Sequence, residues 1–262
     1  MANADHKHSL PVQVTVIDDS DERQIIVHRE LNVYRDFNGL IFPKEKVVLN
    51  SNSPISPTGA PFIPAQPYDP LLYRKVYETD YDAVNNIRKV RKDSDIPTAY
   101  LWGYSQKLLV AEVKNAVVEE VWLDSFEDNG DLFTDANGAN SAKTGLKVRN
   151  TSTYTFSPTY QPVESNTLMS YWFWQNAKWN YSGIVSFQRT FTTSGSNLDE
   201  VRAFPMGSQM STYAYDPSRG IISESDANGS TQYYLYDERG RLSVVKDDDR
   251  NILKTFTYHF RQ

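Results

Sequence analysis

The sequence contains no cysteine and only four histidines among 262 residues. The lack of thiols excludes disulfides, thiol catalysis and zinc–thiolate sites. No apolar run approaches the roughly 20 residues of a membrane span, which excludes a transmembrane helix. The opening residues, Met1 to His8, lack the apolar segment of a signal peptide.

Motifs of known catalytic machinery are also missing. The sequence has no Gly-x-Ser-x-Gly, no His-Glu-x-x-His and no phosphate-binding loop. His6 and His8 stand beside Asp5 on a predicted N-terminal tail, whereas His28 and His259 are isolated in predicted strands. No acid–base pair has a readable spacing, so the sequence predicts a protein that is not an enzyme.

The charge pattern argues against nucleic acid as a partner. The formal net charge is −6, and lysines and arginines do not gather on one face. The densest basic run, Arg88 to Lys92, is interpreted as the solvated face of a strand.

What the sequence does have is a repeated Tyr-Asp doublet. Tyr215-Asp216 and Tyr236-Asp237 lie 21 residues apart, and Tyr258-His259 follows after 22 more. Earlier copies are Tyr81-Asp82 and, 21 residues on, Trp102-Gly103. A short fixed period is the signature of a repeat architecture. It predicts an all-β fold, in agreement with 17 tyrosines, 12 phenylalanines and 5 tryptophans.

Each repeat is predicted to be a β-hairpin. The Tyr-x-Tyr of Tyr234 and Tyr236 places two rings on one face of a strand, and Gly240 supplies a turn. Leu242 to Val245 form the return strand, and the Asp-rich segment that follows is the next turn. Asp135 to Gly138 and Asp226 to Gly229, both Asp-Ala-Asn-Gly, are interpreted as turns. One such hairpin is not stable alone, so neighbours must pair into a long sheet.

The motif carries a family resemblance. The heptapeptide Tyr236-Asp237-Glu238-Arg239-Gly240-Arg241-Leu242 resembles the YD repeat of Rhs-type proteins, and Ile96 to Tyr104 resembles a stretch of large Rhs-like proteins of Bacteroidetes-type bacteria. In that family, the repeats coil into a hollow β-shell that encapsulates a toxin or effector segment. The resemblance implies neighbouring YD repeats of a longer chain, or an encapsulated effector, as partners, and an extracellular or cell-surface location.

A middle region without the doublet interrupts the repeats. The sequence predicts an N-terminal β region at 1–113 that ends in repeats, an inserted domain at 114–207, and C-terminal repeats at 208–262. Ser51 to Pro70 is predicted to be a long irregular connection. The insert opens at Ser125-Phe126-Glu127 and closes at Leu198 to Pro205. This order resembles a galactose-binding-like jelly roll, a β-sandwich found in many carbohydrate-binding modules.

Two candidate sites follow from the jelly-roll resemblance. Glu127 and Asp199 match the carboxylates that share one structural calcium in calcium-bearing jelly rolls; the alternative is two ordinary surface acids. No other cofactor is expected. The aromatic residues Tyr171, Trp172, Trp174 and Trp179 could form a stacking platform for a glycan, although burial of both strand faces is the stronger interpretation.

Two functions remain open. The first is a non-catalytic structural or encapsulating segment of an Rhs/YD-repeat protein. The alternative is a carbohydrate-binding, adhesion-type module carried on YD repeats. The last repeat is expected to leave a strand edge exposed at Phe256 to Phe260, which favours self-association.

Overall fold

The computed structural model describes residues 13–18, 25–50, 71–132 and 142–259. The chain divides into two compact units, Met1–Pro97 and Thr98–Gln262. The described residues form 21 strands and two 3-10 turns, Val118–Glu120 and Glu164–Asn166, with no α-helix, so the fold is all-β. Within these ranges no helix has the length and apolarity needed to cross a membrane. The expected connection at Ser51 to Pro70, the turn at Asp135 to Gly138 and the histidines of the N-terminal tail lie outside the described residues.

The first unit is an antiparallel meander of five consecutive strands. These are β1 (Gln13–Asp18), β2 (Ile25–Phe37), β3 (Leu40–Leu49), β4 (Tyr73–Tyr81) and β5 (Ile87–Lys92). Between β2 and β3, Asn38 and Gly39 both have positive φ, as a two-residue hairpin turn requires. Leu31, Val47 and Tyr73 are buried together as its core. Opposite charges, such as Glu30 and Lys46 at 2.8 Å, line a more exposed part of the sheet.

The second unit contains a seven-stranded antiparallel sheet, called here the repeat sheet. Its strands are β6 (Thr98–Gly103), β7 (Leu108–Lys114), β17 (Gln209–Asp216), β18 (Gly220–Ser225), β19 (Thr231–Tyr236), β20 (Leu242–Lys246) and β21 (Ile252–Thr255), in that spatial order. β7 pairs directly with β17, with Val113 opposite Met210. Asn115 donates from its side chain to the carbonyl of Gly207 at 3.3 Å. The ends of the intervening segment therefore meet, and the repeat sheet continues from β7 to β17.

The segment between β7 and β17 adds one five-stranded sheet and two short strand pairs. The five-stranded sheet comprises β8 (Trp122–Asp124), β12 (Thr167–Gln175), β13 (Lys178–Tyr181), β14 (Val185–Ser186) and β16 (Leu198–Pro205). The pairs are β9 (Asp131–Leu132) with β10 (Lys147–Val148), and β11 (Thr153–Thr155) with β15 (Thr190–Thr192). The closing motif of the sequence, Leu198 to Pro205, is β16 itself.

Both faces of the five-stranded sheet pack against other elements. One face packs against β11 and β15 through an aromatic core that includes Tyr154, Phe156 and Phe191. The other face packs on the repeat sheet through Phe204, Met210 and their neighbours. All eight residues of β16 are consequently buried, including three charged ones. Burial on both faces explains why this strand does not alternate between apolar and polar residues.

Candidate functional site

The repeat tyrosines join each hairpin to the hairpin before it. The hydroxyl of Tyr236 donates to the carbonyl of Ile221 at 2.7 Å, and Ile221 is the cross-strand partner of Tyr215. The same relation holds for three further repeat tyrosines, whose hydroxyls donate to a backbone carbonyl: Tyr81 to Pro43 at 2.6 Å, Tyr215 to Leu109 at 2.7 Å, and Tyr258 to Leu242 at 2.8 Å. In each case the acceptor lies opposite the aromatic residue of the preceding repeat. The tyrosine therefore sets the register between successive hairpins.

A β-bulge accompanies five of the repeat aromatics. The register shifts occur at Val33/Tyr34, Asp80/Tyr81, Leu101/Trp102, Ala214/Tyr215 and Leu235/Tyr236. A bulge inserts one extra residue into a strand and increases its local twist. The extra residue changes the direction of the strand end just before the turn, where the aromatic ring reaches the preceding hairpin.

Tyr34 is a repeat position that the sequence analysis missed. Its bulge, its partner Pro43 and the hydrogen bond from Tyr81 to that partner all follow the repeat pattern. The reason it was missed is spacing, because the aspartate follows Tyr34 by two positions, at Asp36, instead of one. Asp36 accepts the amide of Gly39 at 3.1 Å, so it still holds the turn.

The aspartate of each doublet caps the turn that follows. One oxygen of Asp237 accepts the amides of Arg239 at 2.9 Å and Arg241 at 3.0 Å, while Gly240 has φ +72°. Hydrogen bonds from Arg241 lower the pKa of Asp237. Asp82 and Asp216 bind turn amides in the same way. Aspartate suits this place because its short side chain reaches the backbone two residues on.

The repeat at Trp102-Gly103 has no aspartate of its own, and Asp128 from the inserted segment takes that role. Its two oxygens accept the amides of Tyr104 at 3.0 Å and Ser105 at 3.2 Å. Tyr104, Ser105 and Gln106 all have positive φ, a strained conformation that these bonds stabilise. A Cβ at Gly103 would lie 2.7 Å from a Val110 methyl group, which explains the glycine.

Glu127 and Asp199 hold one loop, residues 142–147, named here the anchoring loop. Asp199 is fully buried and accepts the amide of Thr144 at 2.9 Å and its hydroxyl at 3.2 Å. Glu127 accepts the amides of Leu146 at 2.9 Å and Lys147 at 2.8 Å. The two carboxylates thus bind the same loop, and neither is an ordinary surface acid.

Burial controls the ionisation of this pair. It raises the pKa of Asp199 well above its usual range, and the negative charges of Glu200 and Glu127 add to that rise. Burial likewise raises the pKa of Glu127, against the hydrogen bonds from Lys147 and Leu146. Among the described residues, no three acidic or histidine side chains gather into a metal site. A calcium ion shared by Glu127 and Asp199 stays a prediction.

The anchoring loop also attaches the inserted segment to the repeat sheet. The ammonium group of Lys143 binds Asp248 at 2.6 Å and lies 3.7 Å from the centre of the Trp172 ring. Tyr233 donates to the Lys143 carbonyl at 3.0 Å, and the Gly145 amide donates to Ser223 at 3.1 Å. Burial lowers the pKa of Lys143, while Asp248 opposes that shift.

A buried polar network lies next to this loop. Glu200 has φ +50° and sits at a bulge in β16, so its side chain joins Arg202 instead of the aromatic core. Arg202 donates to Glu200 at 2.7 Å and to the Thr212 hydroxyl at 2.9 Å. Ser225 of the repeat sheet donates to the other Glu200 oxygen at 3.2 Å. Charges buried at this depth require complete hydrogen bonding, which fixes how the two sheets face each other.

The proposed glycan platform is divided between two environments. Tyr171 stacks on Phe191 with ring centres 4.2 Å apart, at the edge of the aromatic core. Trp172 is buried under Lys143, and its ring centre lies 4.9 Å from that of Tyr181. Trp174 and Trp179 contact each other edge to face beside a small apolar cluster. Each of the four side chains is buried or half-buried, so both faces of the strand are largely covered by other residues.

Comparisons with known proteins add little beyond this geometry. No protein-family model matches the chain, and a search of curated proteins finds no match. Among solved structures, the chain is similar to the crystal structures of TcdB2-TccC3-Cdc42 and TcdB2-TccC3-TEV. The first has 11% identity and a TM-score of 0.23 over 95% of this chain, and the second has 13% identity and a TM-score of 0.18 over 91%. The chain spans about a ninth of the length of those chains. Both likenesses are weak, so the assignment of an all-β repeat fold depends on the chain's own hairpins.

Proposed function

We propose that the chain is a non-catalytic structural segment of an Rhs/YD-repeat protein, in which hairpins pair into a sheet that encloses or displays another polypeptide. One observation carries this proposal. Each repeat tyrosine donates to a backbone carbonyl of the preceding hairpin, so every repeat builds the attachment point for the next one. Repeats that attach to one another in this way suit an extended enclosing sheet better than a compact catalytic domain. An extracellular or cell-surface location belongs to the same proposal.

The titratable groups support a structural role. Three buried groups with shifted pKa values, Asp199, Glu127 and Lys143, are all engaged by the anchoring loop or by Asp248. Asp199 and Glu127 accept backbone amides of the anchoring loop, and Lys143 pairs with Asp248, which is the use expected of groups that hold two layers together.

The test is amide hydrogen exchange on the purified chain. A structural sheet should protect β7, β17, β18 and β19 to a similar degree, as one cooperative unit. A set of independent hairpins that open separately, each with its own low protection, would contradict the proposal. An enzyme activity that is lost on conservative substitution of one side chain would contradict it as well.

Carbohydrate binding is the second candidate, supported by the half-buried aromatic rings of β12 and β13. Since Trp172 is covered by Lys143, a glycan would contact the half-buried rings of Trp174 and Trp179. A glycan array should then give hits that Trp179→Ala removes and Trp172→Phe retains. An array without hits, at concentrations able to detect weak binding, would rule this candidate out.

A structural calcium ion belongs with these proposals. Glu127 and Asp199 repel each other in a buried place, and a cation between them would relieve that repulsion. Calcium should then raise the melting temperature, magnesium should raise it less, and Asp199→Ala should abolish the rise. A melting temperature that calcium leaves unchanged would contradict the shared ion.

A further inference from the structure

Among the described strands of the repeat sheet from β17 onward, β21 alone has only one of its two edges paired. β17, β18, β19 and β20 each pair on both sides, whereas β21 pairs only with β20 among the described residues. All four of its residues are exposed, with Ile252 at 62% and Leu253 at 51%. Such an edge presents a row of unpaired backbone donors and acceptors beside apolar side chains.

This edge is already ordered by contacts on its inner side. The Tyr258 hydroxyl donates to the Leu242 carbonyl, and the Arg241 guanidinium carbon lies 4.4 Å from the centre of the Tyr258 ring. The Phe256 amide donates to the Ser243 carbonyl at 2.9 Å, and Asp247 caps the turn that leads into β21. A strand that is fixed before binding loses little conformational freedom when a partner arrives.

The completed hairpins specify what that partner must offer. Trp102 pairs with Leu109, Tyr215 with Ile221, and Tyr236 with Leu242, so an aliphatic residue faces each of these three aromatics, whereas Tyr34 faces Pro43. In all three hairpins the return strand is antiparallel. By the relation of these three hairpins, we expect the residue opposite Tyr258 to be aliphatic and to lie on an antiparallel extended segment.

We propose that the free edge of β21 is an acceptor for an extended polypeptide strand, which adds antiparallel to the sheet with an aliphatic residue opposite Tyr258. This is recognition by strand addition, in which backbone hydrogen bonds give affinity and alternate side chains give specificity. The inference rests on the hairpin geometry alone and does not require that the protein forms a shell.

The directions of the backbone amides specify which hydrogen bonds the added strand must make. Neighbouring residues of a strand direct their amides to opposite sides. Since the amide of Phe256 points to β20, that of Thr255 points to the open edge. In β20 the Ser243 carbonyl points to β21, so the amide of Val244 points to β19. A peptide that pairs with the open edge of β21 as β20 pairs with β19 must therefore donate through Val244.

The probe is a fluorescein-labelled peptide with the sequence of residues 240–247, titrated with the whole chain and followed by fluorescence anisotropy. We expect saturable binding. N-methylation at Val244 should weaken binding at least tenfold, whereas N-methylation at Val245 should change it less than threefold. Leu242→Asp in the peptide should also weaken binding at least tenfold.

Hydrogen exchange gives a second readout on the protein itself. The peptide should slow exchange of the Thr255 amide and leave that of Phe256, which is already bonded, unchanged. The proposal is overturned if the anisotropy does not saturate, if both methylated peptides bind alike, or if the peptide binds without protecting Thr255.

Discussion

Lys143 and Asp248 form an ion pair of 2.6 Å that joins the anchoring loop to the last turn of the repeat sheet. The two partners are unequal, because the Lys143 side chain is 6% exposed and that of Asp248 is 36% exposed. Asp248 also accepts the amide of Thr231 at 2.8 Å. This asymmetry determines what removal of each partner should do.

Removal of the anion should destabilise the protein more than removal of the cation. Asp248→Ala leaves a buried ammonium group and the Thr231 amide without their acceptor, which should lower the unfolding free energy by about 2 kcal/mol, after allowance for the exposure of Asp248. Lys143→Met replaces the charge with an apolar chain of similar length and should change it by less than about 1 kcal/mol. Urea unfolding of both variants measures the difference. Equal effects would show that the pair is not controlled by desolvation of Lys143.

The hydroxyl of Tyr236 should contribute more to stability than that of Tyr234. Tyr236→Phe leaves the Ile221 carbonyl without its donor and should lower the unfolding free energy by about 1 kcal/mol. Tyr234→Phe is the matched control, because its hydroxyl bonds the Glu224 carboxylate at 2.9 Å, and water can replace that bond. Burial and Glu224 raise the pKa of Tyr234 to about 12. A Tyr234→Phe effect as large as that of Tyr236→Phe would count against the register role.

Two glycines with similar backbone conformations should respond differently to alanine. Gly145 has φ +61° and a Cβ there would overlap the Glu127 carboxylate, whereas Gly240 has φ +72° with nothing within 4 Å. Gly240→Ala should therefore lower the unfolding free energy by about 1 kcal/mol, the cost of the left-handed conformation alone. Gly145→Ala should lower it by at least about 2 kcal/mol, since it also displaces the anchoring loop. Thermal unfolding of the two variants compares these costs directly.

The buried acids should make the protein less stable as the pH rises. The folded-state pKa values of Asp199 and Glu127 are raised, so the folded state binds protons more tightly than the unfolded state. The resulting stabilisation is complete below the unfolded values near 4 and is lost as the pH rises through the raised ones. Lys143 has a lowered pKa, so its contribution is present only above about 10.5 and is lost as the pH falls.

Asp199→Asn tests this dependence. An asparagine can still accept the Thr144 amide and can donate to the Thr144 hydroxyl, so the loop contacts are retained. The variant should be more stable than the parent at pH 8, and the gap should shrink toward pH 4. A gap that is constant across this range would exclude Asp199 as the titrating group.

Local patterns were enough to predict the repeats but not their attachment to the insert. Asn38-Gly39 and the strand at Leu198 to Pro205 were predictable, because turn chemistry and a paired motif are local signals. The bulge at Glu200 was not, since a non-glycine residue with positive φ leaves no local pattern. Long-range contacts were equally invisible: Lys143 meets a partner 105 residues away. Asp128, likewise, accepts the amide of Tyr104 in a turn that lies 24 residues earlier in the chain.

The pairing of β7 with β17 has a consequence for how the chain folds. The hairpins from β17 onward close over short turns, whereas the β7–β17 ladder must close across residues 115–208. If that loop were unstructured, its closure entropy would oppose the ladder by about 3 kcal/mol more than a four-residue turn does. Once the insert has folded, Asn115 and Gly207 are already adjacent, and the long loop behaves like a short one. We therefore expect the insert to fold before the β7–β17 ladder, because its folding brings the two ends of the long loop together.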